Sequence, residues 1–131
     1  IKKFKSKNNF VNLQGDDTML AYLYTRAVAL VNTSRYEGFG ITNIEAMHLG
    51  CPVISSDFIT MREIGSNACL YFKNNTSNAL ANKLELLLYN NELRKTFVKR
   101  GYERSKLFTW AKSAKKTKDL YGRLLNKNQN R

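Results

Sequence analysis

The chain has 131 residues, 43% of them hydrophobic, one proline and a formal net charge of +12. That is the size and composition of one modest globular domain, which excludes a disordered chain and a proline-rich linker. No apolar run approaches the ~18–20 residues of a membrane span, and two cysteines with one histidine are too few soft ligands for a zinc site.

The first ten residues, IKKFKSKNNF, are basic with no apolar stretch behind them, so they do not read as a signal peptide. FVNLQG, Phe10–Gly15, alternates apolar and polar residues and predicts a short strand. In DDTMLAYLYTRA, Asp16 or Asp17 is the expected N-cap, and Met19, Leu20, Leu23 and Tyr24 form an apolar stripe at helical spacing. VALVNTS is a β-branched run that predicts a strand buried on both faces. A helix is expected from near Thr42 to Gly50, where glycine at the exit and Pro52 beyond it are stop signals.

PVISSD predicts another buried strand, TMREIGSN a short helix or turn, and CLYF a further strand. The remainder reads as helical. Leu80, Leu84, Leu87 and Leu88 share one face; Leu93, Phe97, Val98 and Gly101 share a second. Trp110, Ala114, Thr117, Tyr121 and Leu124 share a third, with lysines and arginines between them. Strands alternating with helices predict an α/β fold: a parallel sheet with helices on its faces, ending in a helical segment. Ligands bind outside the carboxyl ends of such strands.

The charge is uneven. Residues 36–75 carry two basic and four acidic side chains, whereas residues 76–131 carry fourteen basic and four acidic. A basic surface attracts anionic partners such as nucleic acid, acidic lipid or phosphorylated substrate, or it is a solvated helix face. No aromatic–basic platform interleaves in the C-terminal part, so a nucleic-acid-binding module is the weaker alternative, beside a non-catalytic assembly domain.

The stretch SRYEGFGITNIEAMHLGCPVISSD, Ser34–Asp57, concentrates the chemistry. NTSRYEGFG leaves a buried strand and enters a helix. Gly38 and Gly40 have no Cβ, so backbone amides can approach a ligand there, and the amides at the start of the following helix suit phosphate oxygens. Neither a Walker loop nor GxGxxG is present. Glu37 and Glu45 flank this cradle; carboxylates repel phosphate but accept well from sugar hydroxyls. A ligand with hydroxyls at both ends of a diphosphate, as in a nucleotide-sugar, matches the layout. Other readings stand beside it: Thr42-x-x-Glu45 fits a capping box, Glu37 can pair with Arg35, and the lone His48 suits a packed or surface position better than a general base.

Glu37-Gly38-Phe39-Gly40, Glu45-Ala46-Met47 and Gly50-Cys51-Pro52-Val53-Ile54 together resemble the E-x7-E region of family 4 retaining glycosyltransferases. The likeness extends from about Phe10 to Tyr121, through LQGDDTMLAYLYTRAVALVNTS, REIGSNACLYF and FTWAKSAKKTKDLY. The resemblance implies an incomplete C-terminal domain of a GT-B fold, a Rossmann-like parallel sheet with helices on both faces. Residues 1–131 would be one partial nucleotide-sugar-binding domain, with the acceptor-binding N-terminal domain outside this chain, and the part alone is expected to be inactive. It implies a catalytic role for Glu37 at the donor sugar. Gly38, Phe39, Gly40, Ile41 and Thr42 would hold sugar and diphosphate, Glu45 the ribose, and Gln14 and Gly15 would border the base.

The donor would be a UDP- or GDP-linked sugar, with no metal or other cofactor and no nucleic acid. A glycan or lipid-linked acceptor would bind through the N-terminal domain. The enzyme would be cytoplasmic, with its basic helices near an anionic membrane surface. The chain departs from the family pattern at Thr42, where a proline is usual, and Lys2, Lys3, Lys5 and Lys7 do not match the family's diphosphate-binding cations.

Overall fold

The computed structural model describes residues 11–73 and 76–129. Three strands run parallel in the order of the chain, β1 (Leu30–Asn32), β2 (Val53–Ser56) and β3 (Cys69–Phe72). Leu30 lies opposite Val53 and Val53 opposite Cys69, so Asn32, Ser56 and Phe72 finish at one edge of the sheet. The helices are α1 (Asp17–Arg26), α2 (Ile41–His48), α3 (Ile59–Gly65), α4 (Ser77–Tyr89), α5 (Asn91–Ser105) and α6 (Trp110–Gln129), with a 3-10 turn at Ser66–Ala68.

Strand alternation separates the core into two layers, as expected of a sheet covered on both faces. Val53 and Cys69 join Tyr24 of α1 and Ala46 and Met47 of α2 on one face. Ile54 and Phe72 join Leu87 of α4 and Phe97 of α5 on the other. All four residues of β2 are buried, which is why it carries no charge and no residue larger than isoleucine. Gly101 lets α5 approach α2 closely: a Cβ there would lie 3.2 Å from Met47 Cγ.

The ends of α2 follow from local chemistry. At its exit the Cys51 N–H bonds the Ala46 carbonyl (2.8 Å) and the Gly50 N–H bonds the Met47 carbonyl (3.2 Å), with Gly50 at φ +77°. That is a Schellman stop, and Pro52 follows it directly. Asp16 caps α1, its side chain accepting from the Met19 N–H at 2.9 Å.

Four expectations are corrected. Within FVNLQG, Phe10 lies outside the described residues, and residues 11–15 form no strand. Val11 and Leu13 are exposed, and residues 11–15 pair with none of the three strands, so the alternation has neither a ladder nor a core to hold it. In α1 only Tyr24 is buried, whereas Leu20 and Leu23 remain exposed. In α4 the inward residues are Leu87 and, half-buried, Leu80, while Leu88 is 52% exposed. The apolar stripe of α6 has no cover among the described residues: Trp110 is 83% and Tyr121 63% exposed. No described helix is long and apolar enough to cross a membrane.

Candidate functional site

From the carboxyl end of β1 the chain passes through residues 33–40 into α2, on the edge where parallel sheets bind ligands. Glu37 is half-buried in this loop, and the Ser34 hydroxyl donates to its Oε1 at 2.8 Å. The pairing with Arg35 does not form. The ion pairs among the described residues are Arg62–Asp57, Lys95–Glu92 and Lys106–Glu103.

Gly40 closes the loop in the left-handed region, at φ +82° and ψ +50°. The backbone there demands glycine, and a Cβ would stand 2.6 Å from Cε of the buried Met61, which would have to move aside. Gly38 differs, since a Cβ on it would meet nothing within 4 Å. Its missing side chain serves no internal packing and leaves that side of the loop open. Phe39 is half-exposed, its ring edge-on to Phe108 with centroids 5.8 Å apart.

Because Gly40 is the N-cap, α2 begins without a side-chain cap. Of its first three amides, only that of Asn43 meets an acceptor among the described residues, the Gly40 carbonyl at 3.1 Å. The amides of Ile41 and Thr42, both exposed, remain at the positive end of the helix. The same start overturns the capping box. Thr42 is the second helical residue rather than the cap, and Glu45 falls in the second turn, about 7 Å along the axis from Gly40 at the usual rise per residue. Glu45 makes no hydrogen bond or ion pair among the described residues. Its charge acts on buried Tyr24, whose phenol is pushed above its ordinary value first by burial and then by Glu45.

The loop thus brings Glu37, Gly38, Phe39, Gly40, Ile41 and Thr42 together at the mouth of α2, with Glu45 one turn further in. Gln14 and Gly15 are exposed in the segment before α1, and no hydrogen bond among the described residues ties them to this loop. His48 sits at the far end of α2, its Nδ1 3.3 Å from Ser105 Oγ and its ring stacked on Tyr102. The site is an open cradle.

Two features of this edge escape a reading of the sequence. Asp57, just past β2, receives two hydrogen bonds from Arg62 at 2.6 and 2.8 Å. Arg62 also stacks 4.2 Å over the Tyr71 ring, so its charge is already engaged within the fold. Behind the loop, Asn32 and Asn43 are buried and hydrogen-bonded to each other at 3.0 Å. A polar residue closing a β-branched run was the only available hint. No group of three or more His, Cys, Asp or Glu that could hold a metal is assembled among the described residues.

With this geometry in view, comparisons with known proteins converge. The family described as glycosyl transferases group 1 matches residues 1–104. An uncharacterized glycosyltransferase of Methanocaldococcus jannaschii is 37% identical over 95% of this chain and 37% of its own length. O-antigen chain mannosyltransferase B of Escherichia coli is 32% identical over 80% of this chain and 28% of its own. Among solved structures, a sucrose-phosphate synthase from Thermosynechococcus elongatus superimposes with a TM-score of 0.77 at 35% identity, covering 86% of this chain and 29% of that one. The chain therefore spans about a third of the length of the relatives it matches.

Proposed function

Since the chain belongs to the glycosyl transferases of group 1, we propose that it is the donor-binding part of a retaining hexosyltransferase that uses a nucleotide-sugar. The observation that carries this reading is the uncapped start of α2 at the carboxyl edge of the sheet, set between Glu37 and Glu45. The Ile41 and Thr42 amides and the open side of Gly38 receive the diphosphate. Backbone dipoles fixed in place stabilise the charge that grows on the leaving diphosphate without reorganising. Glu45, which makes no hydrogen bond or ion pair among the described residues, accepts from ribose hydroxyls. Glu37 accepts from the donor sugar beside the reacting carbon. No metal is assigned a role, and Gln14 and Gly15 border the base.

Residues 1–131 act as one partial domain in this reading, and an acceptor-binding domain outside the chain supplies a glycan or lipid-linked acceptor. Enclosure and proximity come from that second domain, so the chain alone is inactive. The enzyme works in the cytoplasm, drawn to anionic membrane by Lys112, Lys115, Lys116 and Lys118, all exposed on α6.

The test is an NMR titration of the chain with UDP, GDP, UDP-glucose and GDP-mannose. One nucleotide series shifts the amides of residues 38–42, and Glu45→Gln weakens it about tenfold or more, the scale of a hydrogen bond to a charged group, without lowering stability. Shifts scattered away from α2, or a Glu45→Gln chain that binds like the wild type, would remove the basis of the proposal. Co-sedimentation with vesicles containing acidic lipid, lost in neutral vesicles, checks the membrane contact.

A further inference from the structure

Behind the loop that carries Glu37 runs a chain of hydrogen bonds that starts in the core and ends on its carboxylate. Asn32 ends β1 and is 8% exposed; Asn43 is the third residue of α2 and fully buried. Asn32 Oδ1 accepts from the Ser34 N–H at 3.0 Å. A backbone N–H can only donate, which settles the direction of every bond behind it. Asn32 Nδ2 must donate, and it does so to Asn43 Oδ1 at 3.0 Å. Asn43 Nδ2 then donates to Met61 Sδ at 3.1 Å.

At the other end, Ser34, its backbone held by Asn32, turns its hydroxyl to Glu37 Oε1 at 2.8 Å. The series Met61–Asn43–Asn32–Ser34–Glu37 is continuous. It also joins the two ends of the 33–40 loop. Apolar side chains would bind strand to helix without the expense of burying two amides. What they would not supply is a directed acceptor for the Ser34 N–H.

We propose that Asn43 and Asn32 are positioning residues for Glu37, setting its carboxylate through Ser34. This rests on the donor-binding reading, in which Glu37 meets the sugar. The role therefore shows in the sugar increment, the ratio of affinity for a nucleotide-sugar to that for its parent nucleoside diphosphate.

The increment is measured with UDP and UDP-glucose, and with GDP and GDP-mannose, on the wild-type chain, Ser34→Ala, Asn43→Leu and the double variant. Each single change lowers the increment about five- to tenfold, with the diphosphate affinity kept within about twofold; the double variant is no worse than Ser34→Ala, since both changes break one series. Losses that add, or an increment unchanged in Ser34→Ala while the diphosphate still binds, overturn the role of the network alone. A wild-type chain that binds no nucleotide overturns the donor-binding reading and this role with it.

Hydrogen exchange in the free chain judges the network without any ligand. Protection of the Ser34 amide falls about tenfold in Asn43→Leu while β2 amides keep theirs. Unchanged protection at Ser34 rules the network out, and Ser34→Ala, on a half-buried loop, keeps the binding test open if Asn43→Leu does not fold.

Discussion

Gly40→Ala and Gly50→Ala place the same methyl group on two left-handed residues at opposite ends of α2, at φ +82° and +77°. The backbone penalty is shared: about 1–2 kcal/mol for a Cβ in this region, offset by about 0.4–1 kcal/mol from restricting the unfolded chain. The surroundings differ. At Gly50 the new Cβ would lie 3.7 Å from Val98 Cγ1, an ordinary contact. At Gly40 it would lie 2.6 Å from Met61 Cε and 3.3 Å from Met61 Sδ, and Met61 is fully buried. Displacing a buried side chain adds about 1–3 kcal/mol. Gly50→Ala should thus cost about 1 kcal/mol and Gly40→Ala about 2–4 kcal/mol. Urea unfolding followed by circular dichroism measures both, read as midpoint shifts at constant slope. A Gly50→Ala chain as unstable as Gly40→Ala would show that Met61 does not constrain the loop and would refute the reasoning.

Three further outcomes are expected. Leu87→Ala, in the core layer with Ile54 and Phe72, lowers stability by about 2–5 kcal/mol, whereas Leu88→Ala stays within about 0.5 kcal/mol in the same denaturation experiment. The Arg62 guanidinium holds the Asp57 carboxyl below its ordinary range against the opposing effect of burial. The folded value lies under the unfolded one, so this stability is present at neutral pH and is lost as pH falls below about 4; a pH series should show Asp57→Asn with a shallower acid limb than wild type. Burial pushes the Cys69 thiol up to about 12 and raises Cys51 as well, so neither reacts with a thiol reagent at pH 8 until urea unfolds the chain.

What the sequence disclosed follows how local the cause is. CLYF forms β3 at the expected residues, and Gly50 with Pro52 ends α2 as expected, because the stop depends on a few backbone bonds. Phe10–Gly15 has the alternation of a strand, but alternation describes two faces and not the neighbour that must pair with them. In α4, leucines at 80, 84, 86, 87 and 88 surround much of the helix, so spacing alone leaves its phase open; packing against Ile54 and Phe72 selects Leu87. Thr42-x-x-Glu45 matches a capping box in letters, yet the left-handed Gly40 starts the helix earlier and carries both residues past the cap. Asn32 and Asn43 do not show as a pair in the sequence because a buried asparagine and an exposed one are the same letter, and only the fold brings the side chains of residues 11 positions apart within 3.0 Å.

The edge contact between Phe39 and Phe108 couples the motif loop to the root of α6. Arg104 adds to that root, lying over the Phe108 ring while its Nε–H bonds the Ile64 carbonyl at 2.9 Å. From there α6 extends for 20 residues, about 30 Å at the usual rise. A rod of that length magnifies its pivot: tilting it by about 10° at Phe108 carries the far end about 5 Å. One aromatic ring in the loop that opens α2 therefore shares the anchor of a lever about as long as a small domain is wide.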